Sequence, residues 1–396
     1  MVTGARQVGK TTMLRHIGAL SKCNYVSLDN PIERDLAKND PLLFLKKYNT
    51  PVIIDEIQYA PELLPYIKLA VDEADYKKRP NDSTGLFTLT GSQLFPMMKN
   101  VSESLAGRVS VMQLCTLSEN EIRGCDDTPF LPSFEQIMQK ENKRKYEDTW
   151  LFDAIFRGKF PRLISQPGID ANEYYSGYLQ TYLERDIRDM ITIRDESRFS
   201  RFLSCAAART GQELVYEDIA KDVEVDIKTA QSWMSLLKAS GLVYFLQPYS
   251  NNAIKRIIKR PKLYFLDTGL ACFLAKYVDS RTLEVSAYSG NIFETYVIGE
   301  IIKSYMNCGK YPDMHLYYYR DSNKKEIDLL ILQNGIIHPI EIKKSANPGK
   351  EIVRNFSVLD PLEKAGLQVG EGGILCMMDK VIPINNRNCF IPLHCI

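Results

Sequence analysis

The chain has 396 residues, room for two or three domains rather than one compact core, since domains commonly run to ~100–200 residues. Its 50 Lys and Arg nearly balance 49 Asp and Glu, which excludes a global field drawing it to nucleic acid or to an anionic membrane; any such attraction must come from a local patch. The nine cysteines show no C-x-x-C pair and no Cys/His cluster at zinc-ligand spacing, no apolar run approaches the ~18–20 residues of a membrane span, and no leader pattern opens the chain. The expectation is a cytoplasmic protein with free thiols and no membrane partner.

Residues 1–125 alternate apolar runs with helical patterns, as an α/β sheet domain should, with strands expected at Asn24 to Leu28, Pro51 to Ile54, Phe87 to Thr90 and Val109 to Leu114. Gly4, Ala5, Arg6, Gln7, Val8, Gly9, Lys10 and Thr11 fit G-x-x-x-x-G-K-[ST] at every position, and Thr12, Met13 and Leu14 lead into a helix. In such a loop the glycines let backbone N–H groups close around the β-phosphate of ATP, Lys10 reaches the β and γ oxygens, and the Thr11 hydroxyl coordinates Mg2+. The positive end of the following helix adds to the attraction.

A chance match would need no further nucleotide residues downstream, yet they follow in order. Val52-Ile53-Ile54-Asp55-Glu56 is a buried-type strand ending in two acids, with Asp55 on the magnesium side and Glu56 the candidate base. The strand ending at Thr90 runs into Gly91-Ser92-Gln93, where Ser92 or Gln93 would sense the γ-phosphate. Only Met1-Val2-Thr3 precede Gly4, short of the ~5–6 residues of an ordinary strand, so either the reading starts late or the domain is crippled, and a late start is the favoured reading.

Residues 126–148 turn polar and read as a linker, and 149–198 as a helical connector in which Tyr174, Tyr175, Tyr178 and Tyr182 form a packed stripe. Over 199–266 the pattern is a helix-turn-helix with a wing: Tyr216 to Asp222, a turn at Glu224-Val225-Asp226, then Ile227 to Ser240 with Ala230, Trp233, Leu236 and Leu237 on one face. Lys228, Thr229, Gln231 and Ser232 fall where base edges of duplex DNA are read, and Lys255, Arg256, Lys259 and Arg260 on the wing where phosphates are met. Such modules also bind proteins, and Asp218, Asp222, Glu224 and Asp226 would repel DNA.

In residues 267–396, Asp328 opens one strand, and Glu341 and Lys343, two apart on another, share a face. With Glu294 on a preceding helix they resemble the D…E-x-K core of restriction-like nucleases, in which two carboxylates hold a divalent metal and the lysine helps activate water. Charged residues alternate on many exposed strands, so the spacing alone is weak. The four histidines, at 16, 315, 338 and 394, are far apart and read as structural.

The segments GARQVGKTT, VIIDEIQYAPELLPYIK, LTGSQLFPMMKNVSESLAGR, YLQTYLERDIRDM and RPKLYFLDTGLA together resemble a large prokaryotic family of AAA+-type ATP-binding proteins with a C-terminal half of unknown function. The resemblance implies an α/β P-loop NTPase with an AAA+-like parallel sheet, then a winged helix and a PD-(D/E)XK restriction-endonuclease-like α/β domain. It also implies residues ahead of the loop, and it makes Arg108 a candidate arginine sensor or finger, against the alternative of a surface arginine. The expected protein is a Mg2+-dependent ATPase acting on DNA. Two rivals are an ATP-dependent switch that binds proteins and a metal-dependent nuclease with a vestigial ATPase half; the oligomeric state stays open.

Overall fold

The computed structural model describes residues 1–77, 85–91, 104–143, 151–183, 196–250, 259–321, 323–364 and 366–396. They fall into two compact units, one of Met1–Thr116, Tyr178–Ile193 and Ser235–Gly241, the other of Leu117–Gly177, Arg194–Met234 and Leu242–Ile396.

The first unit holds β1 (Val2–Thr3), α1 (Lys10–Ser21), β2 (Asn24–Ser27), α2 (Pro31–Asn39), α3 (Pro41–Lys47), β3 (Val52–Asp55), α4 (Leu63–Lys77), β4 (Phe87–Leu89) and β5 (Met112–Gln113). Strands β2, β3 and β4 pair in parallel, β1 pairs with β5 in parallel, and Val2 bridges Thr90 just past β4. The order is therefore β2-β3-β4-β1-β5, and the end of β4 lies between the loop after β1 and the acids after β3. Apolar residues fill β3 because both its faces are covered. Val52 and Ile54 join Val26, Phe44, Leu63 and Leu89, while Ile53 packs with Val2 and Leu14 on the opposite face. Burying each such side chain contributes ~1.5–3 kcal/mol, which fixes the strand end that carries Asp55.

Beyond Thr116 the chain continues with α5 (Glu119–Ile122), α6 (Phe134–Lys143), α7 (Leu151–Arg157), α8 (Pro161–Ser165) and α9 (Ala171–Tyr178). The stretch 126–148, linker-like in composition, contains α6, and Phe130 and Ile137 are buried. These two apolar anchors hold it, while Asp126 and Glu135 are exposed. Tyr174, Tyr175 and Tyr178 are buried, a packed stripe.

Next come α10 (Glu196–Ala208), β6 (Gln212–Glu213), α11 (Tyr216–Val223), α12 (Ile227–Ala239), β7 (Val243–Leu246) and β8 (Lys262–Phe265), with β8 central in an antiparallel sheet β6-β8-β7. Trp233 stands edge-on to Phe199 and Phe202, with ring centroids 5.2 and 5.3 Å apart. The remainder is α13 (Thr268–Leu274), α14 (Ser280–Val285), α15 (Ser289–Asn307), β9 (Leu316–Arg320), β10 (Glu326–Gln333), β11 (Ile336–Lys343), α16 (Asp360–Lys364), β12 (Gln368–Val369), β13 (Gly372–Cys376), β14 (Ile382–Pro383) and β15 (Asn388–Pro392). Its sheet runs β14-β15-β13-β11-β10-β9, with β12 added beside β11; β9, β10 and β11 are antiparallel, and β11, β13 and β15 parallel.

Two polar hubs tie the second unit together. Asp267 caps α13 through Leu270 N at 2.9 Å and also accepts from Lys159 N at 2.8 Å and the Tyr175 hydroxyl at 2.8 Å. The buried Lys159 ammonium lies 3.0 Å from both Glu119 and Glu300, and Lys303 lies 3.1 Å from Glu300 and donates to Leu117 O at 2.9 Å.

Candidate functional site

The phosphate loop is shaped by its sequence. At Gly4 the backbone has φ 135°, and an added Cβ would stand 2.1 Å from Leu114 O, so only glycine fits. Lys10, first residue of α1 and buried, curls back over the loop and donates to Gly4 O at 2.9 Å and Ala5 O at 2.8 Å. Thr11 Oγ1 donates to Asp55 Oδ2 at 2.9 Å, and the Tyr25 hydroxyl donates to the same oxygen at 2.7 Å. Thr90 Oγ1 donates to Asp55 Oδ1 and accepts from Glu56 N at 3.3 Å. Glu56 sits at φ 60°, and its carboxylate accepts from the Gln58 amide. Burial, reinforced by Asp55, pushes the Tyr25 hydroxyl up to about 12, so it stays a donor. Ala5 and Val8 are buried, Arg6 and Gln7 partly so, and Thr12 is exposed.

The metal-side pair Thr11 and Asp55 is thus brought together, and one hydroxyl and one carboxylate beside a phosphate cradle suit magnesium, which keeps most of its waters. Arg108 is bound elsewhere: Nε lies 2.5 Å from Asp72 Oδ1 on α4 and Nη2 3.1 Å from Oδ2. Ser92 and Gln93 lie outside the described residues.

In the second unit, Asp328 and Glu341 meet across the β10–β11 pair, and Lys343 spans them at 3.1 and 2.7 Å. Asp328 Oδ2 also accepts from Ile342 N at 2.8 Å. Glu341 is 2% exposed and its Oε1 has no hydrogen-bond partner. Burial and the nearby Asp328 push its carboxyl up to about 8, against the pull of Lys343. Glu294 on α15 accepts from the Tyr264 hydroxyl at 2.6 Å and from Lys262 at 3.1 Å, and Lys262 also lies 2.6 Å from Glu326. Among the described residues no three His, Cys, Asp or Glu side chains converge as a metal-binding set. Two carboxylates with an orphaned oxygen nevertheless fit a divalent ion that retains water and substrate oxygens.

On α12, Lys228, Gln231 and Ser232 are exposed, whereas Thr229 is tied to Asp226, whose carboxylate caps the helix by accepting from Thr229 N at 2.9 Å and Thr229 Oγ1 at 2.6 Å. Lys259 and Arg260 are exposed, Arg260 at 3.8 Å from Glu217. Lys255 and Arg256 lie outside the described residues. Of the acids expected to repel DNA, Asp222 pairs with Arg209 and Glu224 with Arg201.

Residues 1–123 match the family model of the AAA domain. The N-terminal part of the chain is a P-loop ATPase domain. Residues 148–281 and 289–396 match two domains of unknown function, DUF8612 and DUF4143. Uncharacterized proteins of Mycobacterium bovis and Mycobacterium tuberculosis are each 27% identical over 350 residues, 88% of this chain and 70% of theirs. A Walker-type ATPase of Pyrococcus abyssi aligns at TM-score 0.37 and 14% identity over 69% of this chain and 90% of its own, a likeness too remote to inform the arrangement of the parts. No described helix is long and apolar enough to cross a membrane.

Against the AAA domain, sequence reasoning missed Tyr25, Gln58 and Thr90. Thr90 was within reach, being the last polar residue of an otherwise apolar strand, whereas nothing local marks Tyr25 as a partner of Asp55. In the carboxylate cluster it missed Lys262 and Tyr264, which come from the stretch matched by one family model while Glu294 and Glu326 come from the next.

Proposed function

We propose that the chain is a magnesium-dependent ATPase that couples nucleotide state to a DNA-acting, nuclease-like half. The observation that carries the ATPase reading is the single knot of Thr11, Asp55, Tyr25 and Thr90 beside the Lys10 loop. In this reading Lys10 leaves the Gly4 and Ala5 carbonyls for the β and γ oxygens of ATP. Asp55 and Thr11 would hold magnesium, which would supply positive charge toward the phosphate oxygens. Glu56, released from Gln58, orients the attacking water, and Thr90 keeps both acids in register.

The nuclease-like reading is supported by a helix followed by three antiparallel strands that gather Glu294, Asp328, Glu341 and Lys343 at one end. Asp328 and Glu341 would hold a divalent ion that polarises a phosphodiester, and Lys343 would steady the water beside it. The helix pair α11–α12 followed by the paired strands β7 and β8 supports a winged-helix role, with Lys228, Gln231 and Ser232 offered to bases and Lys259 and Arg260 to phosphates.

ATP hydrolysis with magnesium, with and without duplex DNA, tests this against Lys10→Ala. Hydrolysis that rises with DNA and vanishes in Lys10→Ala supports the reading; no nucleotide binding sinks it. A nicking assay with Asp328→Asn tests the second centre, and cutting unchanged by that substitution removes it from the chemistry. The Arg260–Glu217 pair favours a second reading, a switch that binds a protein through the same helices. DNA affinity that falls steeply with salt would oppose that reading.

A further inference from the structure

Four carboxylates, Glu294, Glu326, Asp328 and Glu341, crowd one end of the β9-β10-β11 meander. Lys343 accounts for the pair Asp328 and Glu341. The other pair is bridged by Lys262, whose ammonium lies 3.1 Å from Glu294 Oε1 and 2.6 Å from Glu326 Oε1. A lysine whose side chain is 5% exposed thus fills the space between two acids from two other elements. We propose that Lys262 is a resident cation of this cluster, so that the centre takes one divalent ion, at Asp328 and Glu341, and not two. The inference rests on the nuclease-like reading for the first ion only.

The cation is fixed in place by the fold. Lys262 begins β8, the central strand of its sheet, and its backbone is registered against Glu213 on one side and Leu246 on the other. Alternation sends Leu263 and Phe265 into apolar surroundings and puts Lys262 and Tyr264 on the face toward Glu294. The lysine head lies over the Tyr318 ring at 5.7 Å. Burial pulls the ammonium toward neutrality, but the fields of Glu294, Asp328 and Glu326 outweigh it and hold its pKa above the usual lysine range. Removing that charge leaves Glu294 and Glu326 facing a common gap with Asp328 behind them. That is an oxygen-lined site for a hard cation, with acids drawn in from ammonium contact toward the ~2.0–2.1 Å of a magnesium bond.

The test counts bound Mn2+ by electron paramagnetic resonance in the full chain without nucleotide, comparing wild type with Lys262→Gln, Lys262→Met and Lys262→Arg, each checked by thermal melting. The neutral variants are expected to bind one Mn2+ more per chain than wild type, and Lys262→Arg the wild-type number. Equal counts in all four overturn the proposal. If neither neutral variant folds, wild type is read against Glu294→Gln: an ion lost in that variant shows that a second site is already open and refutes the assignment, while an unchanged count supports it. Asp328→Asn reads the first ion separately. An unchanged count there removes the metal from the nuclease-like reading and leaves the Lys262 comparison standing.

Discussion

Replacing Asp267 with alanine should cost about 4 kcal/mol of folding stability without touching any reacting group. The carboxylate lies in the segment LDTGLA, where an acid between apolar runs invites a catalytic reading, yet its oxygens are consumed by Leu270 N at 2.9 Å, Lys159 N at 2.8 Å and the Tyr175 hydroxyl at 2.8 Å. Loss of the cap is worth ~1 kcal/mol. Lys159 N, buried and left without an acceptor, adds ~1–3 kcal/mol, and the Tyr175 hydroxyl, which keeps Arg157 O at 3.0 Å, loses one hydrogen bond of ~0.5–1.5 kcal/mol. Against the ~5–15 kcal/mol that holds a typical domain, this is a large fraction. Urea unfolding followed by tryptophan fluorescence is the assay, since Trp233 packs between Phe199 and Phe202 in the same unit. With a slope of ~2 kcal/mol per M, the midpoint should fall by about 2 M at unchanged slope. Asp267→Asn should fall between, because its amide keeps one acceptor but turns a donor toward another donor. A midpoint shift below ~0.3 M for Asp267→Ala would show that the three contacts do not carry the load assigned to them.

Thr90→Val removes the hydroxyl that joins Asp55 to Glu56 N while keeping the shape. Steady-state ATPase should show kcat lower by about tenfold, the loss of one hydrogen bond of ~1.4 kcal/mol, with KM for ATP little changed; a change in KM alone would argue that Thr90 only shapes the pocket. Gly4→Ala places a Cβ 2.1 Å from Leu114 O at φ 135°. Binding of a fluorescent ATP analogue should be lost and the melting of the N-terminal unit lowered, and near-normal binding would contradict the loop geometry. Glu119 is pushed up by burial, but Lys159 and Arg123 outweigh this and hold it at about 2, below its ordinary 4.5. Its stabilising contribution is therefore present above pH 4.5 and lost as pH falls toward 2. The gap is worth ~3 kcal/mol, discounted to ~2 kcal/mol because a third of the side chain meets solvent. Chemical denaturation across that window should show a shallower fall for Glu119→Gln than for wild type.

The elements that follow a local period were legible in the sequence. The apolar run before Asp55 marked β3, and the alternation of apolar and polar residues over 216–240 marked α11 and α12 to within a residue at each end. The phosphate loop was legible because its chemistry fixes residue types at fixed spacing. Contacts between distant segments were not. Nothing near Lys262 announces that its charge meets Glu294 and Glu326, and nothing near Arg108 announces Asp72. The helix α6 hid inside a polar stretch because two buried residues, Phe130 and Ile137, suffice to seat it while composition averages over the charges around them. Strand alternation put Glu341 and Lys343 on one face and Asp328 joined them only through the resemblance to the D…E-x-K core, but the orphaned Glu341 oxygen appears only once β10 and β11 are paired.

The charges around Lys159 set how this protein should be handled in the laboratory. Ions in solution screen exposed charges over a Debye length of ~8–10 Å near physiological strength, and buried pairs far less. Glu300 and Lys303 are 6% and 3% exposed, so the contacts joining α5 and α15 should endure brine that strips protein from nucleic acid phosphates. Washing at high ionic strength should therefore clear the chain of carried-over polynucleotide and leave it folded.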